Sequence, residues 1–535
     1  MKIDTIGKGC SMSVAAVAAT LSISAFGQIT LAPVLSDHAV LQAGEVIPVW
    51  GSGGAAFRKM SCSIAGKTVW TYANSQVGDF RFFLPPLKAG GPYELVVSNE
   101  TGGAACVVHD VMVGEVWLAS GQSNMEWGMK DASPRYEGKN DSVRVFRNNK
   151  WDVMETSAVA EHSAIGSFFG DALQRARGGA VGVLDLAVGG TYAACWMPRG
   201  AVRSCPPARK WCDDFEMHQG DAERWEKPPA FEFDEPERSR LEKSGYKSTW
   251  PAPRRMYRFN VHRNFRPYEW FEAWLAPVTM FPIRGAIWYQ GESEAMDTME
   301  MACSYEEMLS TLIGSWRQLW GNPDMPFCVV QLAGYGSSEK DGFKEKCRWA
   351  EVRDAQLRVS RNVPGAGMVS AIDVGEKGNI HPKNKIAVAN RLCNWALGAV
   401  YGKKVGALTG PRFLSASVEK DGKVRVRFTD ADGGLVADAP VTCVFMRGTT
   451  GGWKKANAVV QGEELVVSSA EVPSPVEVRY AWDNFPTGAT LRNKQGYPAS
   501  PFRWRKKSKV KIVRKKSGKT VEVEVPAGGY TWKEI

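Results

Sequence analysis

Histidine is scarce in this chain, with six residues in 535. His38, His109, His162, His218, His262 and His381 are scattered, no two stand four apart, and no cysteine spacing resembles a metal site, so no cofactor or metal is indicated. Long apolar runs are also missing. Past the first thirty residues nothing approaches the length of a membrane span, which excludes a transmembrane segment from the mature chain. No internal repeat is present. No Gly-x-Ser-x-Gly elbow and no lid-like apolar stretch occur, which disfavours the ordinary α/β-hydrolase and lipase readings.

What is present is ordinary in bulk and specific in detail. Hydrophobic residues make up 44% and charged residues 23%, as in soluble globular proteins. The length implies about two to four domains. Lys2 and Lys8 precede an apolar run from Ser11 to Phe26, and Ala25-Phe26-Gly27 offers small residues at the positions a signal peptidase inspects. Residues 1–27 therefore read as a secretory leader, and the protein as exported to the periplasm or the extracellular space. Cys10 precedes the apolar run, so a lipoprotein anchor is not supported. Ten cysteines remain beyond it, and an exported protein can oxidise them. Cys205 and Cys212 are the pair best placed for a local bridge, while Cys328 and Cys393, in apolar runs, read as buried thiols.

The net charge of +10 is concentrated at the end. Residues 503–535 hold eleven Lys or Arg and three Glu, a net of 11 − 3 = +8. The segment reads as a hairpin around Ser517-Gly518, with Lys509 and Lys511 facing Glu522 and Glu524 across the strands. A polyanion-binding patch is the rival reading, and no nucleic-acid partner is expected.

Residues 28–112 alternate short β-rich runs with Gly and Pro turns, as an antiparallel β-domain does. From 113 to 404 apolar strands (Val113–Ala119, Val181–Val188, Ile283–Tyr289, Phe327–Leu332, Met368–Ile372) alternate with amphipathic stretches (Glu161–Arg177, Tyr305–Trp320, Arg348–Ser360, Asn384–Val400). That alternation predicts an α/β fold, a parallel sheet with helices on both faces and a site at the carboxyl ends of the strands. A polar insertion occupies residues 200–260. From 405 to 535 the β-texture returns.

Three strand ends carry chemistry. Gly114–Ser120 empties into the turn Gly121-Gln122-Ser123-Asn124-Met125. Ile287-Trp288-Tyr289 leads to Gln290-Gly291-Glu292-Ser293-Glu294. Ala371-Ile372-Asp373 opens into a loop ending Asn379-Ile380-His381-Pro382. A serine, a carboxamide and a histidine at one sheet edge supply a nucleophile, an oxyanion donor and a general base for acyl transfer.

Together these blocks resemble the sialate O-acetylesterase family of the SGNH hydrolases, and Gly189-Gly190-Thr191 with Trp196 is similar to its glycine block. Val40-Leu41-Gln42 and Pro48-Val49-Trp50-Gly51 resemble the family's N-terminal β-domain, and Val478–Trp482 and Pro498–Arg503 its C-terminal β-segment. The resemblance implies an SGNH-type catalytic domain over 113–404, flanked by a β-sandwich-like domain over 28–112 and a β-rich domain over 405–535.

It also implies roles. Ser123 attacks an ester carbonyl and His381 relays its proton. The oxyanion meets the Ser123 N–H, an N–H of the Gly189-Gly190 turn and the Gln290 amide, with Gln122, Asn124 and Glu292 beside them. Glu292 is expected to tie down loops, with Arg353 as a candidate partner. The third triad member is open. Wider SGNH enzymes place an Asp shortly before the histidine, where this chain has Gly378 and Asn379. Asp373 is chosen here, against Asn379, Glu376 or a backbone carbonyl. Glu294 also departs from the family, whose members often have Asn there.

The expected activity is a carbohydrate esterase removing O-acetyl groups from glycans. The substrates weighed are O-acetylated sialic acid and acetylated xylan or related polysaccharides. The alternatives are a non-catalytic glycan-binding protein, suggested by Asn379, and a polyanion-binding module.

Overall fold

The computed structural model describes residues 28–213 and 266–526, apart from short breaks at 55–56, 75–77, 101–104, 337–342, 439 and 514–519. The leader 1–27, most of the 200–260 insertion, the Ser517-Gly518 turn and the last residues lie outside the described residues.

Eleven strands build one mixed sheet, the short Val40–Gln42 among them. β1 (Lys59–Ile64), β2 (Lys67–Tyr72) and β3 (Gly90–Asn99) precede the long β4 (Ala105–Gly121). They are followed by β5 (Lys139–Arg147), β6 (Lys150–Glu155), β7 (Ala180–Ala187), β8 (Gly285–Tyr289), β9 (Phe327–Gln331) and β10 (Ala366–Ser370). The central order is β6-β5-β7-β4-β8-β9-β10, parallel throughout except for β6, which is antiparallel at the edge. β7, β8 and β9 are buried along their whole length, as strands covered on both faces must be. The β5–β6 hairpin was not expected from sequence. Its strands mix exposed charges with a short buried apolar set, so they lack the continuous apolar signal.

The helices that frame the sheet and the site include α1 (Ser123–Glu126), α2 (Ala164–Arg177), α3 (Glu292–Met296), α4 (Tyr305–Leu319), α5 (Arg348–Asn362) and α6 (Lys385–Trp395). Ser163 caps α2 by accepting from the Gly166 N–H at 2.9 Å. Phe169 of α2 packs on Trp117, whereas Trp316 of α4 packs on Trp288. Trp288 stands opposite Ser120 in the strand register, an odd number of residues from Trp117. The two helices therefore cover opposite faces, and the fold class read from the sequence is met.

β4 crosses the expected domain boundary at 112. Its first half pairs antiparallel with β3, and its second half pairs parallel with β7 and β8. The N-terminal β-region and the catalytic sheet therefore share a strand, and the boundary falls inside it.

Beyond residue 405, one sheet holds Arg412–Val418, Val424–Thr429, Glu464–Ser468 and Asn457–Gln461. A second holds Lys454–Lys455, Val444–Gly448, Pro475–Tyr480 and Phe502–Arg505. Val426 and Leu465 of the first share a core with Met446, Val478 and Phe502 of the second. In the terminal hairpin the register sets Lys509 opposite Glu524 and Lys511 opposite Glu522. No disulfide joins any of the ten cysteines among the described residues. The expected Cys205–Cys212 bridge is not formed: Cys205 closes the helix Arg199–Ser204 and Cys212 belongs to the helical turns after it, each buried as a thiol.

Gly121 ends β4 at φ +138°, and a Cβ there would lie 2.1 Å from the Tyr289 carbonyl oxygen. Only glycine allows β4 and β8 to close so tightly just before the serine. Gly121→Ala is expected to lower stability by about 2–3 kcal/mol in urea unfolding, and to reduce activity because Ser123 moves with the turn.

Candidate active site

The expected residues come together at the carboxyl ends of the central strands. Gln122 N–H bonds the Tyr289 carbonyl at 2.9 Å, which turns the chain after β4 and presents Ser123 as the first residue of α1. The loop after β10 brings His381 to it, with Nε2 2.8 Å from Ser123 Oγ. Trp127, four residues on from Ser123, stacks on the imidazole with ring centroids 4.4 Å apart and planes 22° apart.

The third-member choice needs correction. Both oxygens of Asp373 are held by Arg391, Nη1 and Nη2, at 2.7 and 2.6 Å. Asn379 holds the histidine's backbone rather than its ring: its Oδ1 accepts from His381 N at 3.0 Å and its Nδ2 donates to His381 O at 2.8 Å. Glu376 accepts from Asn379 Nδ2 at 2.8 Å and Lys383 N at 2.6 Å. Among the described residues, no hydrogen bond reaches His381 Nδ1. Ser123 and His381 thus meet as a pair without a carboxylate on the ring, which is held by stacking and by its backbone.

The oxyanion donors need the same treatment. Gln290 is fully buried, and its Nε2 faces Thr191 O at 3.0 Å, Glu294 Oε2 at 2.5 Å and Gln122 Oε1 at 3.1 Å. Its Oε1 accepts from the Tyr305 hydroxyl at 2.8 Å. The amide is satisfied inside the core and has no N–H left for substrate. The Gly189 N–H is likewise taken, by Glu126 Oε2 at 2.7 Å. The N–H groups of Ser123, at the start of α1, and of Gly190, in a left-handed turn at φ +75°, have no protein partner among the described residues. These are the donors the geometry offers to a developing oxyanion.

Gln122, Asn124 and Glu292, expected beside the substrate, are buried braces. Gln122 Oε1 accepts from Gly291 N at 3.3 Å and Ser293 N at 3.2 Å, tying the serine turn to α3. Asn124 Nδ2 donates to Glu292 Oε1 at 2.6 Å and to the Ile380 carbonyl at 2.9 Å. Arg353 does not partner Glu292 and bonds only backbone carbonyls. The loop-tying role expected of Glu292 thus runs through Asn124.

Several groups escaped the sequence reading. Glu126 pairs with Arg147 at 3.2 Å, and Arg147 with the buried Asp185 at 3.1 Å. Lys385 is buried beneath the site, its Nζ donating to Asn124 Oδ1 at 2.5 Å. Trp127 stands four residues after Ser123, one helical turn on, while Lys385 lies four after His381, where the loop gives way to α6.

Burial dominates the electrostatics. It pushes the Glu292 carboxyl up to about 6, against the Asn124 bond and the Lys385 charge. It pushes Glu294 up to about 7, against bonds from the Ala193 N–H and Gln290. It brings His381 down to about 4, helped by the Lys385 cation. Imidazole is therefore the neutral base across neutral and mildly acidic pH, as a general base requires.

Residues 254–396 match a family model described as a carbohydrate esterase, sialic acid-specific acetylesterase. The sialate O-acetylesterase of Mus musculus is 26% identical, covering 91% of this chain and 96% of its own length. The chain is similar to this esterase family over most of its length. The Rattus norvegicus sialate O-acetylesterase is 28% identical over 70% of this chain and 74% of its own. The crystal structure of a carbohydrate acetylesterase from Xanthomonas citri superposes with a TM-score of 0.73 at 28% identity, covering 89% of this chain and 99% of that one. The protein is thus a carboxylic ester hydrolase. The matched family segment contains Gln290, Glu292 and His381, while Ser123 lies upstream of it.

Proposed function

We propose that the protein is an exported serine esterase that removes O-acetyl groups from sialoglycans. The observation that carries the mechanism is the 2.8 Å contact between Ser123 Oγ and His381 Nε2. Neutral His381 takes the Ser123 proton as Oγ attacks the acetyl carbonyl. The oxyanion is met by the Ser123 and Gly190 N–H groups. Collapse breaks the bond to the sugar oxygen, which leaves with the proton from His381. Water, deprotonated by the same imidazole, then releases acetate and restores the serine.

The substrate reading is supported by the family description and by the ground beside His381. A cleft of about 350 Å³ is lined by Trp127, Asp131, Ser133 and the cations Lys130, Arg135 and Lys383. Lys130 is paired with Glu161 at 2.6 Å, so Arg135 and Lys383 provide the attraction for an acidic sugar. Export is supported by the leader-like segment 1–27. Among the described residues no helix is long and apolar enough to cross a membrane.

The test is acetate release from O-acetylated sialoglycoprotein and from acetylated xylan, side by side, with Ser123→Ala as blank. Serine-dependent release from the sialoglycoprotein is expected. Release from xylan alone overturns the substrate assignment, and release by the blank overturns the mechanism.

A further inference from the structure

Lys385 is an unusual choice for its place. It opens α6, where the helix dipole favours anions, and it is only 1% exposed. Among the described residues no carboxylate lies within ion-pair distance of its Nζ. The ammonium instead donates to Asn124 Oδ1 at 2.5 Å. Asn124 passes the connection on, to Glu292 Oε1 at 2.6 Å and to the Ile380 carbonyl at 2.9 Å. The chain thus starts at a buried cation, runs beside the serine and ends on the residue before the histidine.

We propose that Lys385 is a positioning residue for the esterase: through Asn124 it fixes the Ile380 carbonyl, and with it the His381 imidazole, in the geometry that faces Ser123. The inference rests on the reading of Ser123 and His381 as the reacting pair. It answers a need the structure creates, since no carboxylate orients Nδ1. A lysine that only filled space would be worse than a methionine there, because burying an ammonium is costly.

The charge adds a second effect. Facing Lys385 are Glu292, at the start of α3, and Glu376, in the loop before His381, with the rings of Trp127 and Tyr289 5.8 and 5.9 Å away. Burial brings the lysine down to about 7, and the two carboxylates oppose that fall. Around His381, burial and the Lys385 cation both act against protonation. Removing the cation therefore raises the histidine's proton affinity and moves the acid limb of the rate profile to higher pH.

The experiment measures kcat and KM for 4-nitrophenyl acetate across the pH range with full-length wild type, Lys385→Met and Lys385→Arg, following acetate. Lys385→Met is expected to lower kcat by about 10- to 100-fold with little change in KM, and to shift the acid limb upward by about one unit. Lys385→Arg keeps the charge and is expected to leave the limb near its wild-type position. A folded Lys385→Met with wild-type kcat and limb overturns the proposal. Should the Met variant fail to fold, the His381 ring is titrated by NMR with ¹³C-labelled histidine in wild type and in Lys385→Gln, its signal assigned by loss in His381→Gln. A midpoint that rises in Lys385→Gln supports the proposal, and one that stays in place overturns it. Ser123→Ala run in parallel separates the two claims. An active Ser123→Ala defeats the dyad, whereas an inactive one beside a normal Lys385→Met defeats only the lysine.

Discussion

Ser123→Ala is expected to lower kcat for acetate release by about 10⁴-fold or more, with urea stability unchanged to within about 1 kcal/mol. The large effect follows from the loss of the proposed nucleophile. Water must then reach the carbonyl unaided by a covalent intermediate, while the free Ser123 and Gly190 N–H groups still stabilise the oxyanion and leave a residual rate. The small effect on folding follows from what the side chain does. Among the described residues its hydroxyl bonds only His381, in a half-buried position, and the imidazole retains the Trp127 stack. Substrate affinity is expected to persist, so an inactive variant that still binds glycan is the outcome to look for, by calorimetry beside the rate assay. A variant that loses both assigns Ser123 to the fold.

The second large effect concerns Arg353, and it is one of stability. The side chain is completely buried on α5. Its Nε donates to Leu332 O at 2.9 Å, its Nη1 to Asp483 O at 2.7 Å, and its Nη2 to Ala333 O at 2.8 Å and Asn484 O at 3.0 Å. Two of these carbonyls follow β9 and two belong to the C-terminal β-region, so one guanidinium joins the catalytic sheet to the flanking sandwich. Burial lowers its pKa to about 10, which leaves it charged at any working pH. Arg353→Ala is expected to cost about 3–5 kcal/mol in denaturant unfolding, since four carbonyls lose a charged donor at once. Arg353→Lys is expected to fall between, because a single ammonium cannot reproduce the fork.

The scaffold was easier to read than the side-chain partners. β7, β8 and β9 announced themselves by continuous apolar runs, and α4 and α5 by helical periodicity. Ser123 and His381 were legible because each sits in a distinctive block at a strand end. Partner choice was not legible. Asp373 looked like the histidine's acid because it lies close in sequence, yet Arg391, eighteen residues on in the next helix, claims both of its oxygens. Gln290 looked like a free donor because nothing local reveals that Thr191, Glu294 and Tyr305 surround it. Lys385 has the composition of a surface residue, and only the packing of α6 against the serine turn buries it. In each case the deciding group comes from another element, and the distance between elements is not written in any local pattern.

The seventeen residues of β4 have a consequence for how this protein can be taken apart. An accessory module joined by a linker can be lost or exchanged without disturbing its neighbour. Here the strand that displays the serine is the same strand that completes the N-terminal sheet, and the chain makes its first half before its second. During synthesis the accessory sheet is laid down first and hands its last strand to the catalytic sheet as a template, with β7 and β8 later added on either side. Removing residues 28–112 would therefore amputate the central strand rather than detach a domain. An evolutionary history of shuffled parts, if there was one, has been welded shut at this point.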